Sequence, residues 1–431
     1  MIKIIHLSDI HLGSGFTYGH LNPKTGLNTR FEDFINTLSL CIDRAVREKI
    51  DLVLFGGDAF PDATPPPYVQ EAFASQFHRL ADAKIPTILL VGNHDQHSQG
   101  DGGASLCIYR TLGVPGFIVG DTLKTNKIST KNGEIQVITL PWLTHCTLFT
   151  RRKTDNLSFE EVQHLLIESL TLALEGEIRQ LDPQLPTILL GHLMADRANL
   201  GAEKFLAVGK GFTIPMSLLI RPEFDYVALG HVHKHQNLNP TNDPPVIYSG
   251  SIERVDFSEE KEDKGYIYLE INKGKVDWQF NPLPSRNFCS ININVSEEFY
   301  PQFAILKAIQ KKSIQNSVVR LIYKIRSEQL ELINTGEIYE ALEESHSYTI
   351  RPELVSQLSR SRLPELGVGN NLDPISALQA YLDSKEDLKE IVKDMLETAK
   401  FLLNNNDPNL DLSVKQKILP LEDLETFSFE E

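Results

Sequence analysis

The chain has 431 residues, 41% hydrophobic and 23% charged, with a formal net charge of −16. A single core usually stops growing near roughly 250–300 residues, so at least two domains are expected, and the apolar content excludes a disordered chain as the default. The acidic balance excludes indiscriminate nucleic-acid binding through a uniformly basic surface, while leaving room for a local basic groove or a bound metal cluster; 14 acidic against 6 basic residues between Leu372 and Glu431 account for half of it.

The first strand starts at Ile2 with no basic, apolar leader before it, and no run approaches the roughly 18 apolar residues that span a bilayer, so a cytoplasmic protein is expected. IKIIHLSDIH ends in Asp9 and His11. Thr29-x-x-Glu32 then reads as a capping box opening an amphipathic helix that leads into DLVLFGGD, ending in Asp58. A second helix, about Tyr68 to Ala83, precedes IPTILLVGNHD, which delivers Asn93, His94 and Asp95. Gly100 to Gly103 lacks the lysine and spacing of a phosphate-cradling loop and reads as a rim. Asn132-Gly133 marks a hairpin within Lys127–Pro141, and Ser158-x-x-Glu161 caps a long helix running to about Leu181. PTILLGH ends in His192, and FDYVALGHVH ends in His231 and His233. Val246–Ser251 and Gly265–Asn272 are expected to complete a second group of strands.

These patterns predict an α/β fold, a four-layer α/β/β/α sandwich over residues 1–285. A small β-α-β-α-β domain follows over 286–362, then a Gly/Pro/Asn-rich linker at 363–374 and a helical segment at 375–431, where Ser384-x-x-Asp387 caps an apolar stripe including Leu388, Met395, Leu396 and Leu403. The four cysteines form no CxxC pair and read as packing residues.

Five apolar strands thus end in His, Asp and Asn. Asp9-x-His11 and His231-x-His233 have the spacing that puts both side chains on one side of a strand end. With Asp58, Asn93 and His192 this makes seven nitrogen and oxygen donors, too many for one ion and about right for two sharing a carboxylate. Such a pair polarises a phosphoryl oxygen and activates a water, so phosphoester hydrolysis is the expected reaction.

The ordered blocks D9-x-H11, G57-D58, G92-N93-H94-D95, G191-H192 and G230-H231-x-H233 resemble the calcineurin-like metallophosphoesterase superfamily. LSDIHLG and the stretch from Tyr248 to Tyr266, YSGSIERVDFSEEKEDKGY, are similar to the SbcD nuclease subunits of bacterial DNA repair exonucleases. The resemblance spans about Met1 to Glu270. It implies that Asp9, His11 and His233 hold one metal, that Asn93, His192 and His231 hold the other, and that Asp58 bridges them. Both ions would be divalent, Mn2+ by family. It further implies that His94 contacts the phosphate and acts as general acid, with Asp95 orienting it. Some relatives carry another histidine at the place of Pro61, whose contact His97 could supply here. A small α+β capping domain that recognises DNA, a homodimer within a heterotetramer, and an SbcC-type coiled-coil ATPase docked on the Leu388–Leu403 stripe are implied too; the chain has no GxxxxGK[ST] of its own.

His6, His20, His78, His145, His164, His235 and His346 lie outside the blocks and read as structural or solvent-exposed. Arg151-Arg152-Lys153 and Lys307 with Lys311-Lys312 read as solvated surface, with DNA contact as the sharper alternative. The function expected is a manganese-dependent DNA nuclease subunit for repair and recombination, acting 3'-5' on duplex ends and endonucleolytically on single strands or hairpins. The alternative is a metallophosphatase or small-molecule phosphodiesterase of the same superfamily. No membrane association is expected.

Overall fold

Continuous apolar runs of four to six residues, ended by glycine or a polar residue, build strands covered on both faces. In chain order the strands are β1 (Ile2–Leu7), β2 (Leu52–Phe55), β3 (Thr87–Leu90), β4 (Phe117–Gly120), β5 (Lys124–Thr130), β6 (Gly133–Leu140), β7 (Thr187–His192), β8 (Met194–Ala195) and β9 (Thr213–Ile214). They continue with β10 (Tyr226–Gly230), β11 (Gln236–Asn237), β12 (Val246–Tyr248), β13 (Gly265–Asn272), β14 (Lys275–Pro282), β15 (Phe288–Asn294), β16 (Val318–Ile325) and β17 (Ser347–Leu354). The computed structural model describes residues 1–96, 103–143, 159–199, 212–355, 374–383 and 392–404, which fall in two units, Met1–Glu353 and Leu354–Glu431.

Two six-stranded sheets form the first unit, one ordered β14-β13-β1-β2-β3-β4 and the other β11-β12-β10-β7-β6-β5. The central pairs β1–β2, β2–β3, β6–β7 and β7–β10 are parallel. Alternation assigns each face: Ile4, Leu52, Leu54 and Ile88 meet Val137, Ile188, Leu190 and Ala228 between the sheets. The intervening Ile5, Val53, Phe55 and Leu89 pack outward with Phe34 and Leu38 of helix α1 (Thr29–Arg47) and Phe73 and Phe77 of α2 (Pro67–Asp82). Leu170 and Leu174 of the helix Phe159–Ile178 cover Leu189 and Val227 of the second sheet. The result is the expected α/β/β/α sandwich.

Three local expectations are corrected. Gly265–Asn272 joins the first sheet, antiparallel to β1, because the chain returns across the sandwich after β12 and extends the β1 edge. The cap of α1 is Asn28, whose side chain accepts from Arg30 N at 2.9 Å. Thr29 is already helical, and its hydroxyl instead accepts from His20 N and contacts His346 Nε2 at 2.9 Å. Glu32 is taken up by Asn22 Nδ2 and Thr25 Oγ1, so no box can close. Lastly, Asp9 and His11 lie beyond the end of β1, in left-handed backbone at φ 52° and 45°, so strand alternation does not explain their common aim. The Asn132-Gly133 hairpin is present, with Thr130 opposite Gly133.

β15, β16 and β17 form a separate three-stranded sheet within the first unit, with the helices Pro301–Gln310 and Thr335–Ala341 between its strands. Arg286 joins it to α1 through a bidentate pair with Asp33, both contacts at 2.5 Å. In the second unit the helices Pro374–Asp383 and Val392–Asn404 pack together, with Leu382 and Leu396 buried and Met395 exposed. The expected linker up to residue 373 and the cap at Ser384 and Asp387 lie outside the described residues. Cys41, Cys107 and Cys289 are free thiols, as expected of packing residues, and Cys146 is not among the described residues. No helix among the described residues is long and apolar enough to cross a membrane.

Removing the Asn28 cap exposes an α1 amide without a partner, so Asn28→Ala is expected to lower unfolding free energy by about 1 kcal/mol in denaturant titration. Glu32→Gln, which does not cap the helix, is expected to cost less.

Candidate metal centre

The carboxyl ends of β1, β2, β3, β7 and β10 lie at one edge of the sandwich, where open α/β sheets hold ligands. Backbone close approach sets the geometry. A Cβ on Gly230 would stand 2.3 Å from Gly56 O, and one on Gly92 would stand 2.1 Å from Asp58 Oδ1, so only glycine lets the strand ends of the two sheets and the Asp58 loop meet. Asp9, His11, Asp58 and His231 all have positive φ, four non-glycine residues in strained backbone at one place.

All seven expected donors come together there. Asp9, His11 and His233 form one group of mutually close donor atoms, and Asp58, His192 and His231 form a second. Asp58 Oδ2 faces both, 3.6 Å from His11 Nε2 and 3.3 Å from His192 Nε2. Its other oxygen accepts from His94 N at 2.9 Å, which fixes the rotation of the carboxylate. Asn93 Oδ1 lies 2.9 Å from both His192 Nε2 and His231 Nδ1, so Asn93 belongs with the second group. His94 sits beside the first, its ring centroid 5.0 Å from that of His11.

The residues fit a pair of divalent ions. His11 Nε2 and His233 Nε2 stand 3.0 Å apart, and His231 Nε2 is buried without a hydrogen-bond partner. Nitrogen and carboxylate oxygen without thiolate is a donor set for borderline and hard divalent metals. The electrostatics agree. Burial opposes the Asp58 charge, but His192, His11 and His94 outweigh it and hold this carboxyl well below its usual range. Burial lowers His192, yet Asp58 and Asp9 pull it up to about 9, so positive charge is drawn to the middle of the cluster. Burial, with His192 and His233 as neighbours respectively, pushes His231 down to about 3 and His11 well below the usual value.

Around the donors lies a layer that fixes their ring orientation. His192 Nδ1 is 2.7 Å from Gly56 O, and His233 Nδ1 is 2.7 Å from Glu259 Oε1. Glu259 also pairs with the buried Lys264 at 2.7 Å, and Lys264 donates to His233 O at 3.1 Å. Ser8 Oγ and His231 N donate to Asp9. The trace of this layer in the sequence was the charged stretch Tyr248–Tyr266, too polar for a solvent loop to be distinguished from buried charge by composition. Trp142, 4.8 Å from the His231 ring and held by its own backbone at Val91 O and Gln96, gave no sequence signal.

Asp95 does not orient His94. Its carboxylate accepts from Gly92 N (2.9 Å), Asp58 N (2.8 Å) and Ala59 N (2.9 Å), clamping the loops after β2 and β3 to each other. Burial and the Asp58 charge push it up to about 7 against those amides. His94 Nδ1 instead meets Pro61 O at 2.7 Å. The position where relatives carry a histidine therefore contributes through its carbonyl. His97 lies outside the described residues, as do His145 and the Arg151–Lys153 cluster. His6, buried between the sheets against Tyr226, and His235, stacked on Phe280, are structural; His78 and His164 are exposed beside Asp82 and Glu168.

Glu259→Gln keeps an acceptor for His233 but turns an amide toward Lys264. It is expected to weaken binding of one of two Mn2+ equivalents by about 10- to 100-fold in calorimetric titration, leaving the other unchanged.

The calcineurin-like phosphoesterase family model matches residues 2–235, which contain every donor named here. Among solved structures, a dimetal phosphatase from Danio rerio is similar at 12% identity over 65% of this chain and 96% of that one, with a TM-score of 0.38. A purple acid phosphatase from yellow lupin (Lupinus luteus) seeds is 15% identical over 65% of this chain and 51% of that one, TM-score 0.38. A protein of Thermus thermophilus is 15% identical over 65% of this chain and 98% of that one, TM-score 0.35. With more than half of its length matched by the family model, and the family's donor blocks gathered at one sheet edge, the chain belongs to the calcineurin-like phosphoesterases.

Proposed function

We propose that this phosphoesterase is the SbcD-type nuclease subunit of a DNA repair complex, hydrolysing DNA phosphodiesters from duplex ends and within single strands or hairpins. In this reading Asp9, His11 and His233 hold one Mn2+, Asn93, His192 and His231 hold the other, and Asp58 is shared. Two such ions polarise a phosphoryl oxygen and make a water nucleophilic at neutral pH. The chain's own groups do the rest. The His94 amide turns Asp58 Oδ1 away, leaving Oδ2 for both donor groups. Pro61 O accepts His94 Nδ1–H and so supports an imidazolium whose Nε2 proton can pass to the leaving oxygen.

The observation that carries the nuclease reading is Glu259. The stretch Tyr248–Tyr266, on which the SbcD resemblance rests, reaches the centre through its 2.7 Å contact with His233, so the finer similarity touches the chemistry. An SbcC-type ATPase is assigned to the helix Val392–Asn404, whose exposed Met395 leaves apolar surface for a partner helix, and the nuclease unit is assigned a homodimeric assembly.

Purified protein with Mn2+, alone and with the co-expressed ATPase, is expected to release nucleotides from a labelled blunt duplex and to nick a hairpin, and chelator should abolish both. Hydrolysis of a generic phosphomonoester but neither DNA would return the phosphatase reading. His94→Ala is expected to lower kcat on DNA by about 10²- to 10⁴-fold without loss of bound Mn2+; an unchanged kcat removes His94 as the acid.

A further inference from the structure

The small sheet carries a surface unlike the rest of this acidic molecule. Phe299, Tyr300 and Phe303 are 83%, 70% and 64% exposed, three large aromatics at the start of the helix Pro301–Gln310. Single exposed apolar residues are ordinary, but a contiguous patch of this kind marks a binding surface. Phe303 is the shared wall of two adjoining hollows. One, of about 670 Å³, runs between Phe299, Tyr300, Leu306 and Leu332, with Glu337 at its margin. The other, of about 590 Å³, is lined by Lys307, Lys311 and Lys312 along the helix and by Ser290 and Asn292 on β15, with Glu298 as its one acid. Among the described residues none of these lysines has an ion-pair partner, whereas Lys264 and Lys273 do; Lys307 instead lies 5.8 Å from the Phe303 ring centroid.

Exposed ring faces next to unpaired ammonium groups match one chemistry better than any other: a heterocyclic base joined to a phosphate. Aromatic platforms bind unpaired bases by stacking with little sequence preference, while lysines follow the backbone. A duplex hides its base faces and could use only the lysines. A protein partner would fill the aromatic hollow but leave three ammonium groups unmatched unless it were also acidic.

We propose that Phe299, Tyr300 and Phe303, with Lys307, Lys311 and Lys312, form a platform for a few unpaired nucleotides of a single strand. This rests on the nuclease reading of the metal centre for its purpose, holding a frayed or displaced strand, but not for its test.

Binding of the full chain to a fluorescein-labelled single strand and to a blunt duplex is measured by anisotropy in EDTA, where no cleavage can occur. Phe299→Ala/Tyr300→Ala/Phe303→Ala should weaken single-strand binding by about tenfold or more and duplex binding much less. Lys307→Glu/Lys311→Glu/Lys312→Glu should weaken both and reduce the salt dependence for the single strand by about two phosphate contacts' worth. Melting curves and hydrolysis of a small chromogenic phosphodiester with Mn2+ should match wild type for both variants. Unchanged single-strand affinity in the aromatic variant, or equal losses on both DNAs, would overturn the platform. So would self-association by light scattering that only the aromatic substitutions abolish, which would make this a protein interface. Wild-type binding without any phosphodiester hydrolysis would overturn the nuclease reading and leave the platform standing.

Discussion

Three backbone amides from two loops converge on one buried carboxylate, Asp95, and the metal centre depends on that convergence. The amides of Asp58 and Ala59 belong to the turn after β2, and that of Gly92 to the turn after β3. Asp58 stands there at φ 59°, a conformation that costs a non-glycine residue on the order of 1–3 kcal/mol. Hydrogen bonds to a charged group contribute about 1.5–3 kcal/mol each, so the clamp can offset the strain of the turn it holds. What the clamp secures is orientation: with the turn locked, one Asp58 oxygen is committed to the His94 amide and the other points at both donor groups.

Much of this architecture was legible in the chain because its signals are local and repeated. Apolar runs ended by glycine and then by Asp, His or Asn recur five times, and each became a parallel strand with its polar residue at the carboxyl end. The alternation that assigns Ile4 inward and Ile5 outward follows from the same pattern. The seven donors and His94 could be named from strand ends alone. The reason they converge could not. Asp9 and His11 were expected to share a strand face, but left-handed turns bring them together, and no residue-type preference announces positive φ at Asp or His as it does at Gly.

What stayed illegible was long-range. Glu259 reads as one acid among many in a charged stretch, and nothing short of the fold says that it is buried against His233 and Lys264. Thr29-x-x-Glu32 satisfies a capping pattern, yet Asn28 takes the cap because Thr29 and Glu32 have other partners 9 and 10 residues or more away. The placement of β13 likewise turned on which sheet had an open edge, a question that its own alternating sequence does not answer. In each case a tertiary partner competed for a group that the local pattern had already assigned.

The donors also divide between the sheets, and this division constrains how the centre can form. Asp9, His11, Asp58 and Asn93 follow strands of the first sheet, while His192, His231 and His233 follow strands of the second. Each donor group contains residues from both sheets, so neither is complete until the faces carrying Ile4, Leu54, Ile188 and Ala228 have packed. Packing forces two carboxylates and four imidazoles into a buried edge, an arrangement that is costly for charges without counterparts. Divalent cations supply those counterparts and bind only the packed state, so by linkage metal affinity is also affinity between the sheets. The glycines at 56 and 230 follow from the same requirement: backbone of one sheet must touch backbone of the other where any side chain would hold the donors apart.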